Sequence, residues 1–306
     1  MNKDRSIIDP RFRPHNAHHE APSEFEVRDP HLSALKQLPL VHRFALVDEM
    51  PKDTPGIYSI TGGRQIGKTT LLKQWMLELL KAGIDPGRIV YFSGELIDDH
   101  HALVRMIADA LRGNFYAKAR YLCLDEVSYI RDWDRGIKHL AESGALLNVI
   151  LVLTGSDSVV IRDTRMRLPG RRGSAAVQDF HLYPLSFYDY VLLCDHLPDD
   201  EADNLLNRRS APNSDTIEIL FDAFNNYLVT GGYLSAVNSL DTHGEIPSWI
   251  FTVYSDWIRG DVLKRGKQER YLREVLNAVI RRLGSQVTWN SLSHDLSIDH
   301  PATIAD

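Results

Sequence analysis

The residues best suited to chemistry form one run: Gly62, Gly63, Arg64, Gln65, Ile66, Gly67, Lys68 and Thr69. They fit the pattern G-x-x-x-x-G-K-[ST] and lie between an apolar stretch and an amphipathic one, the strand-to-helix setting that gives this motif its meaning. Backbone N–H groups in such a loop curl around phosphate oxygens, and its glycines let those oxygens come close. The first turn of the following helix, which includes Thr70, adds its positive dipole end. Lys68 supplies a mobile cation for the β- and γ-phosphates, and the Thr69 hydroxyl a ligand for Mg²⁺. The chemistry this implies is binding of ATP with Mg²⁺.

A second signal lies about 57 residues downstream of Lys68, where Tyr121-Leu122-Cys123-Leu124 runs into Asp125-Glu126. An apolar strand ending in two carboxylates beside a phosphate loop places Asp125 to hold Mg²⁺ through water. Glu126 is then placed to take a proton from the attacking water. A third signal is the polar cluster Thr154-Gly155-Ser156-Asp157. Ser156 is the residue expected to contact the γ-phosphate or orient the water, with Thr154 the competing choice; a plain helix N-cap is the structural alternative. A fourth is the basic stretch Arg162, Arg165, Arg167, Arg171 and Arg172. Arg171 is the preferred candidate to neutralise charge developing in phosphoryl transfer, within its own chain or from a neighbouring subunit. A solvated loop or a nucleic-acid backbone contact is the alternative for these arginines. No N-K-x-D element follows the phosphate loop, which favours ATP over GTP.

Positioning these groups requires a particular set of elements. The pattern predicts strands over 56–61, 89–93, 121–124, 149–154 and 177–182. It predicts helices over 69–82, around 103–111 and over 133–143. In the first helix Leu72, Trp75, Met76, Leu79 and Leu80 fall on one face. Near-continuous apolar strands alternating with helices point to an α/β fold, a parallel sheet with helices on both faces. Residues 1–50 read as an N-terminal extension with one short helix near Leu32–Leu38. Its His15, His18, His19 and Glu20 lack a second ligand group and read as solvated. Residues 51–194 read as the nucleotide-binding core and 195–267 as a helical linker region that opens with a polar loop over 195–215. Residues 268–306 read as a winged-helix or helix-turn-helix segment that stops inside its second helix, from Pro301. That stop suggests a piece of a longer protein.

Composition narrows the classes. Of 306 residues, 43% are hydrophobic and 25% charged, which excludes disorder, collagen and coiled coil as whole-chain readings. A formal net charge of -6 excludes a generally basic nucleic-acid binder, though not a local basic face. The two cysteines, Cys123 and Cys194, form no C-x-x-C pair, and no apolar run approaches a membrane span. A cytoplasmic protein without membrane contact is expected.

Several segments together resemble the AAA+-superfamily ATPases of bacteria and archaea, in which an AAA ATPase core precedes a DUF4143-type region. They are GIYSITGGRQIGKTTLLKQW with DPHLSALKQLPL upstream, then YLCLDEV, LTGSDS, LPGRRG and YPLSFYDYV. YLVTGGYLSAV, IRGDVLKRGK and GSQVTWNSLSHDL complete the series. The resemblance implies a P-loop NTPase core of AAA+ type, a helical extension, a winged-helix-like segment, and use of ATP and Mg²⁺. By position, Lys68 and Thr69 match the nucleotide loop and Asp125 and Glu126 the Walker B acids. Ser156 matches the polar sensor of strand four, and Arg171 the arginine after the Leu-x-Gly element. The expected function is Mg²⁺-dependent ATP hydrolysis driving a conformational switch, slow without a partner or a homo-oligomer. The alternative is a nucleotide-controlled DNA-binding regulator that uses the C-terminal segment. A remodelled protein or DNA partner fits these readings.

Overall fold

The structure is a computed structural model and describes residues 8–112, 118–155, 168–207, 209, 211–264, 266, 268–294 and 296–298. Five strands form its sheet: β1 (Gly56–Thr61), β2 (Ile89–Ser93), β3 (Arg120–Asp125), β4 (Val149–Gly155) and β5 (Asp179–His181). The order across the sheet is β2-β3-β4-β1-β5, and every pairing between these strands is parallel. This is the doubly covered parallel sheet that the apolar strands predicted.

Strand periodicity divides the core in two. Ile57, Val90, Phe92, Leu122, Leu124, Leu151 and Leu153 face one side. There they pack on α5 (His100–Ala110) and α6 (Trp133–Glu142). Tyr58, Ile60, Tyr91, Tyr121, Cys123, Ile150 and Val152 face the other side. There α4 (Lys68–Lys81) covers them with Leu71, Leu72, Trp75, Met76 and Leu79, all buried. The parity matters for function, because Asp125 and Thr154 continue the rows of Cys123 and Val152 toward α4.

The N-terminal region differs from its expected form. Three short 3-10 turns (Pro10–Phe12, Pro14–His19, Pro22–Glu24) lead into α1 (Phe25–Arg28) and α2 (Pro30–Leu35), and α3 (Leu46–Glu49) follows. The histidines are not solvated: His18 is fully buried, as are Phe12 and Phe25. The cause is β2, an edge strand whose outer backbone groups need partners. Asn16 accepts from Tyr91 N (2.8 Å) and donates to Tyr91 O (2.9 Å). His18 and His19 both donate from Nε2 to Ile89 O, at 2.9 and 2.7 Å. Among the described residues no cluster of His, Cys, Asp and Glu could hold a metal ion.

Beyond β5 the chain is helical: α7 (Phe187–Leu193), α8 (Asp199–Leu206), α9 (Ser214–Thr230) and α10 (Leu234–His243). Helix α8 replaces much of the expected loop at 195–215. Its first turn carries Asp199, Asp200 and Glu201, charges that favour a helix N-terminus although they read as a solvated run. Leu197 and Ala202 are buried there with Tyr190 and Val191 of α7. Residues 1–244 form one compact unit and 245–306 a second.

The second unit contains α11 (Ser248–Lys264), α12 (Glu269–Arg281) and α13 (Trp289–Ser293). Tyr271, Val275 and Ala278 of α12 pack with Leu292, Leu296 and Ile298, whereas Leu276, Val279 and Leu283 are exposed. The helix expected from Pro301 lies outside the described residues. No helix among the described residues is long and apolar enough to cross a membrane.

Candidate nucleotide site

The loop from Gly62 to Gly67 leaves the carboxyl end of β1 and enters α4 at Lys68. Two of its glycines are required by their surroundings. Gly67 holds φ +102° at the N-cap of α4, and a Cβ there would strike the Phe44 ring. A Cβ on Gly62 would strike the Leu182 carbonyl oxygen and the Ile66 side chain. Gln65, also at positive φ, is exposed on the loop, while Ile66 is buried beneath it. Arg64 precedes them and is half-buried.

Lys68 is buried and turns back along the loop. Its Nζ donates to Gly63 O (2.8 Å) and Gly62 O (3.3 Å) and pairs with Glu126 Oε1 at 3.2 Å. Asp125 is the hub. Thr69 donates from Oγ1 to Asp125 Oδ2 at 2.6 Å, Tyr91 donates its hydroxyl to the same oxygen at 2.7 Å, and Thr154 donates to Oδ1. Burial and the neighbouring Asp125 carboxylate push the Tyr91 phenol well above its ordinary value, so it stays a donor. Thr154 also accepts the Glu126 backbone N–H at 2.9 Å. Glu126 has φ +50°, a left-handed conformation at the end of β3. Gly94 stands against this turn, and a Cβ there would lie 2.5 Å from Glu126 O.

The structure therefore gathers Gly62–Thr69, Asp125 and Glu126 at the carboxyl edge of the sheet. Thr154 completes the group. The register pairs Leu124 with Leu153, which puts Thr154 beside Asp125 on the α4 side. Positions 154 and 156 share one strand parity, so the register of β4 on β3, not parity, sets Thr154 beside Asp125. Ser156 lies outside the described residues, as do Arg162, Arg165 and Arg167. Thr70 is buried in the first turn of α4, where its Oγ1 meets His31 Nε2 at 2.7 Å. Burial holds the His31 imidazole below its usual range.

Arg171 stands apart from this group. Its guanidinium pairs with Glu142 at the end of α6 (2.8 Å) and donates to Pro169 O. Next to it, Arg172 O accepts from Ile57 N, and Gly173 bridges Gly56. These contacts fix Arg171 at the amino end of β1, about 17 Å of strand away from the phosphate loop. Arg172 itself is buried in an ion pair with Asp179 at 2.7 Å, a structural role.

The sequence reading missed Tyr91, and it also missed Tyr233 and Asn238. The Tyr233 hydroxyl lies 3.9 Å from the place a Gly63 Cβ would take. Asn238 accepts from Leu40 N and donates to Leu40 O, at 3.0 Å each, and so fixes α10 to the strap before α3.

The site has the parts of a P-loop nucleotide-binding domain: a glycine loop on a helix N-terminus, its lysine, and a strand-end acid pair with a hydroxyl from the next strand. Its hard oxygen donors, Thr69 Oγ1 and the Asp125 carboxylate, suit Mg²⁺. Residues 54–191 match the model of the AAA domain family AAA_14. An uncharacterized protein of Methanocaldococcus jannaschii is 25% identical over 269 residues, covering 80% of this chain and 53% of that protein. One from Haemophilus influenzae is 22% identical over 259 residues, covering 82% of this chain and 58% of its own length. The chain thus spans little more than half the length of these curated relatives. Among solved structures, a Walker-type ATPase of Pyrococcus abyssi aligns over 100% of this chain and 98% of its own at 12% identity, with a TM-score of 0.41. The Aeropyrum pernix ORC2 protein in its ADP form aligns over 95% and 80% at 15% identity, also with a TM-score of 0.41.

Proposed function

We propose that this protein is a cytoplasmic ATPase that binds ATP with Mg²⁺ and hydrolyses it to switch conformation. The observation that carries this is the convergence of Lys68, Thr69, Asp125, Glu126 and Thr154 on one edge of the sheet. Backbone N–H groups of the 62–69 loop take the phosphates, and Lys68 exchanges its contact with Glu126 for phosphate oxygens. Thr69 and Asp125 hold Mg²⁺, which supplies charge neutralisation on the phosphates. Release from Lys68 lets Glu126 accept the proton of the attacking water as the water oxygen bonds to the γ-phosphorus. The bond from that phosphorus to the β-bridging oxygen breaks, giving ADP and phosphate. Thr154 orients Glu126 through its backbone and Asp125 through its carboxylate. Separation of the pair between buried Lys68 and half-buried Glu126 is the local event that couples nucleotide to shape.

Arg171 sits too far from its own phosphate loop to neutralise the transferred group there, so an arginine contribution from it requires a second copy of the chain. The test is phosphate release from ATP by the full chain and by Glu126→Gln. Hydrolysis that falls by at least about 100-fold in the variant, with ATP binding retained, supports the assignment. Equal rates in the two proteins overturn Glu126 as the base, and no ATP binding by the wild-type chain overturns the function.

A further inference from the structure

Asp125 receives three hydroxyl donors, and two of them, Thr69 and Thr154, belong to the nucleotide site by position. The third does not. Tyr91 lies in the middle of β2, and its hydroxyl reaches Asp125 Oδ2 from below. Lys73 of α4 places its ammonium 3.8 Å from the centre of the Tyr91 ring. A cation on the ring face draws electron density from the phenol and makes its O–H a stronger donor.

Lys73 is itself fully buried. It pairs at 2.6 Å with Asp29, also fully buried, and donates to His15 O at 2.8 Å. Asn16 holds both backbone groups of Tyr91. Asp29, His15 and Asn16 all belong to the N-terminal arm, residues 8–35. A continuous polar path therefore runs from the arm through Lys73 and Tyr91 to Asp125. A buried ion pair is a poor way to gain stability, because desolvation offsets its attraction. Its position under the Tyr91 ring gives it a different use.

We propose that Tyr91 is a positioning residue for Asp125, and that the N-terminal arm sets its position through the Asp29–Lys73 pair, so that docking of the arm and Mg²⁺-dependent nucleotide binding strengthen each other. This deepens the ATPase reading and rests on it. A hydrogen bond from a neighbouring group fixes a metal-holding carboxylate and tunes it, and its loss costs about 10–100-fold in metal affinity. By linkage, nucleotide with Mg²⁺ protects the arm by the same factor that the arm adds to its binding.

The test uses the full chain and a fluorescent ATP analogue, titrated with Mg²⁺ and with EDTA. Tyr91→Phe keeps the ring and removes one oxygen. The expected result is an affinity in EDTA like the wild type, and a Mg²⁺-dependent gain in affinity smaller by about tenfold. The double variant Asp29→Asn with Lys73→Met removes both buried charges together and leaves neither unpaired; it is expected to lose the same Mg²⁺-dependent gain. Hydrogen exchange of residues 8–35 slows on adding Mg²⁺ and ATP in the wild type, and does not in Tyr91→Phe. An unchanged Mg²⁺-dependent gain in Tyr91→Phe overturns the proposal, as does equal loss with and without Mg²⁺, which marks a merely structural tyrosine. A wild-type chain that binds no nucleotide overturns the ATPase reading beneath it.

Discussion

Thr154 sets the sharpest expectation at the scale of single residues. Its one hydroxyl donates to Asp125 and accepts from Glu126 N, so it ties the metal-holding acid to the base. Thr154→Val keeps the β-branched shape that suits β4 and removes both bonds. Single-turnover phosphate release is expected to slow by about 10- to 100-fold, with little change in ATP affinity, because the lost contacts orient groups and do not hold phosphate. An unchanged rate would return the sensor role to a residue beyond Gly155. Lys68, Thr69, Asp125 and Glu126 were legible in the sequence because motif spacing between a strand and a helix fixes their neighbourhood. Thr154 against Ser156 was not settled by spacing. It needed the register of β4 on β3, a pairing between residues 29 apart in the chain.

Among the elements, the N-terminal arm is the one whose role the chain order hides. It spans three 3-10 turns and two short helices, each too short to stand alone, and it is held by side chains on the edge of β2. His18 gives the arm a pH dependence. Burial, with His19 and Lys73 nearby, pushes its imidazole from 6.5 down to about 3, so the fold accommodates only the neutral ring. The stability it supports is complete above pH 6.5 and is lost as pH falls toward 3, at up to about 1.4 kcal/mol per unit. Denaturant midpoints at pH 7 and pH 4.5 measure this loss. His18→Gln, which keeps a donor for Ile89 O, is expected to flatten the slope; a slope equal to wild type would place the acid sensitivity elsewhere. The histidines read as solvated because local sequence carries no sign of an unpaired strand edge. Helix α8 escaped for a related reason: an acidic run looks the same in a loop and at a helix N-terminus.

For the molecule as a whole, the placement of Arg171 separates two ways of working. Its attachment at the amino end of β1 keeps it away from its own phosphate loop. If Arg171 completes a neighbouring site, Arg171→Ala loses most hydrolysis while keeping ATP binding. Mixing it with the Glu126→Gln chain then restores part of the rate, since each supplies what the other lacks. A purely monomeric enzyme cannot show that recovery. Steady-state phosphate release from the two variants, apart and mixed, decides it.

The phosphate loop, the acid pair, the strands and the helices of the core were determined by the sequence alone. Each depends on interactions within a few residues: glycines where a Cβ has no room, period-3.6 and apolar runs, and a strand end facing a loop. Tertiary structure decided the rest. The order β2-β3-β4-β1-β5 places Thr154 between the loop and the acids and leaves β2 as an edge to be covered. That edge buries His18 and the Asp29–Lys73 pair, and it links a distant arm to Asp125 through Tyr91. Contacts of this kind are set by which surfaces remain unpaired once the sheet is assembled, and no local pattern encodes that.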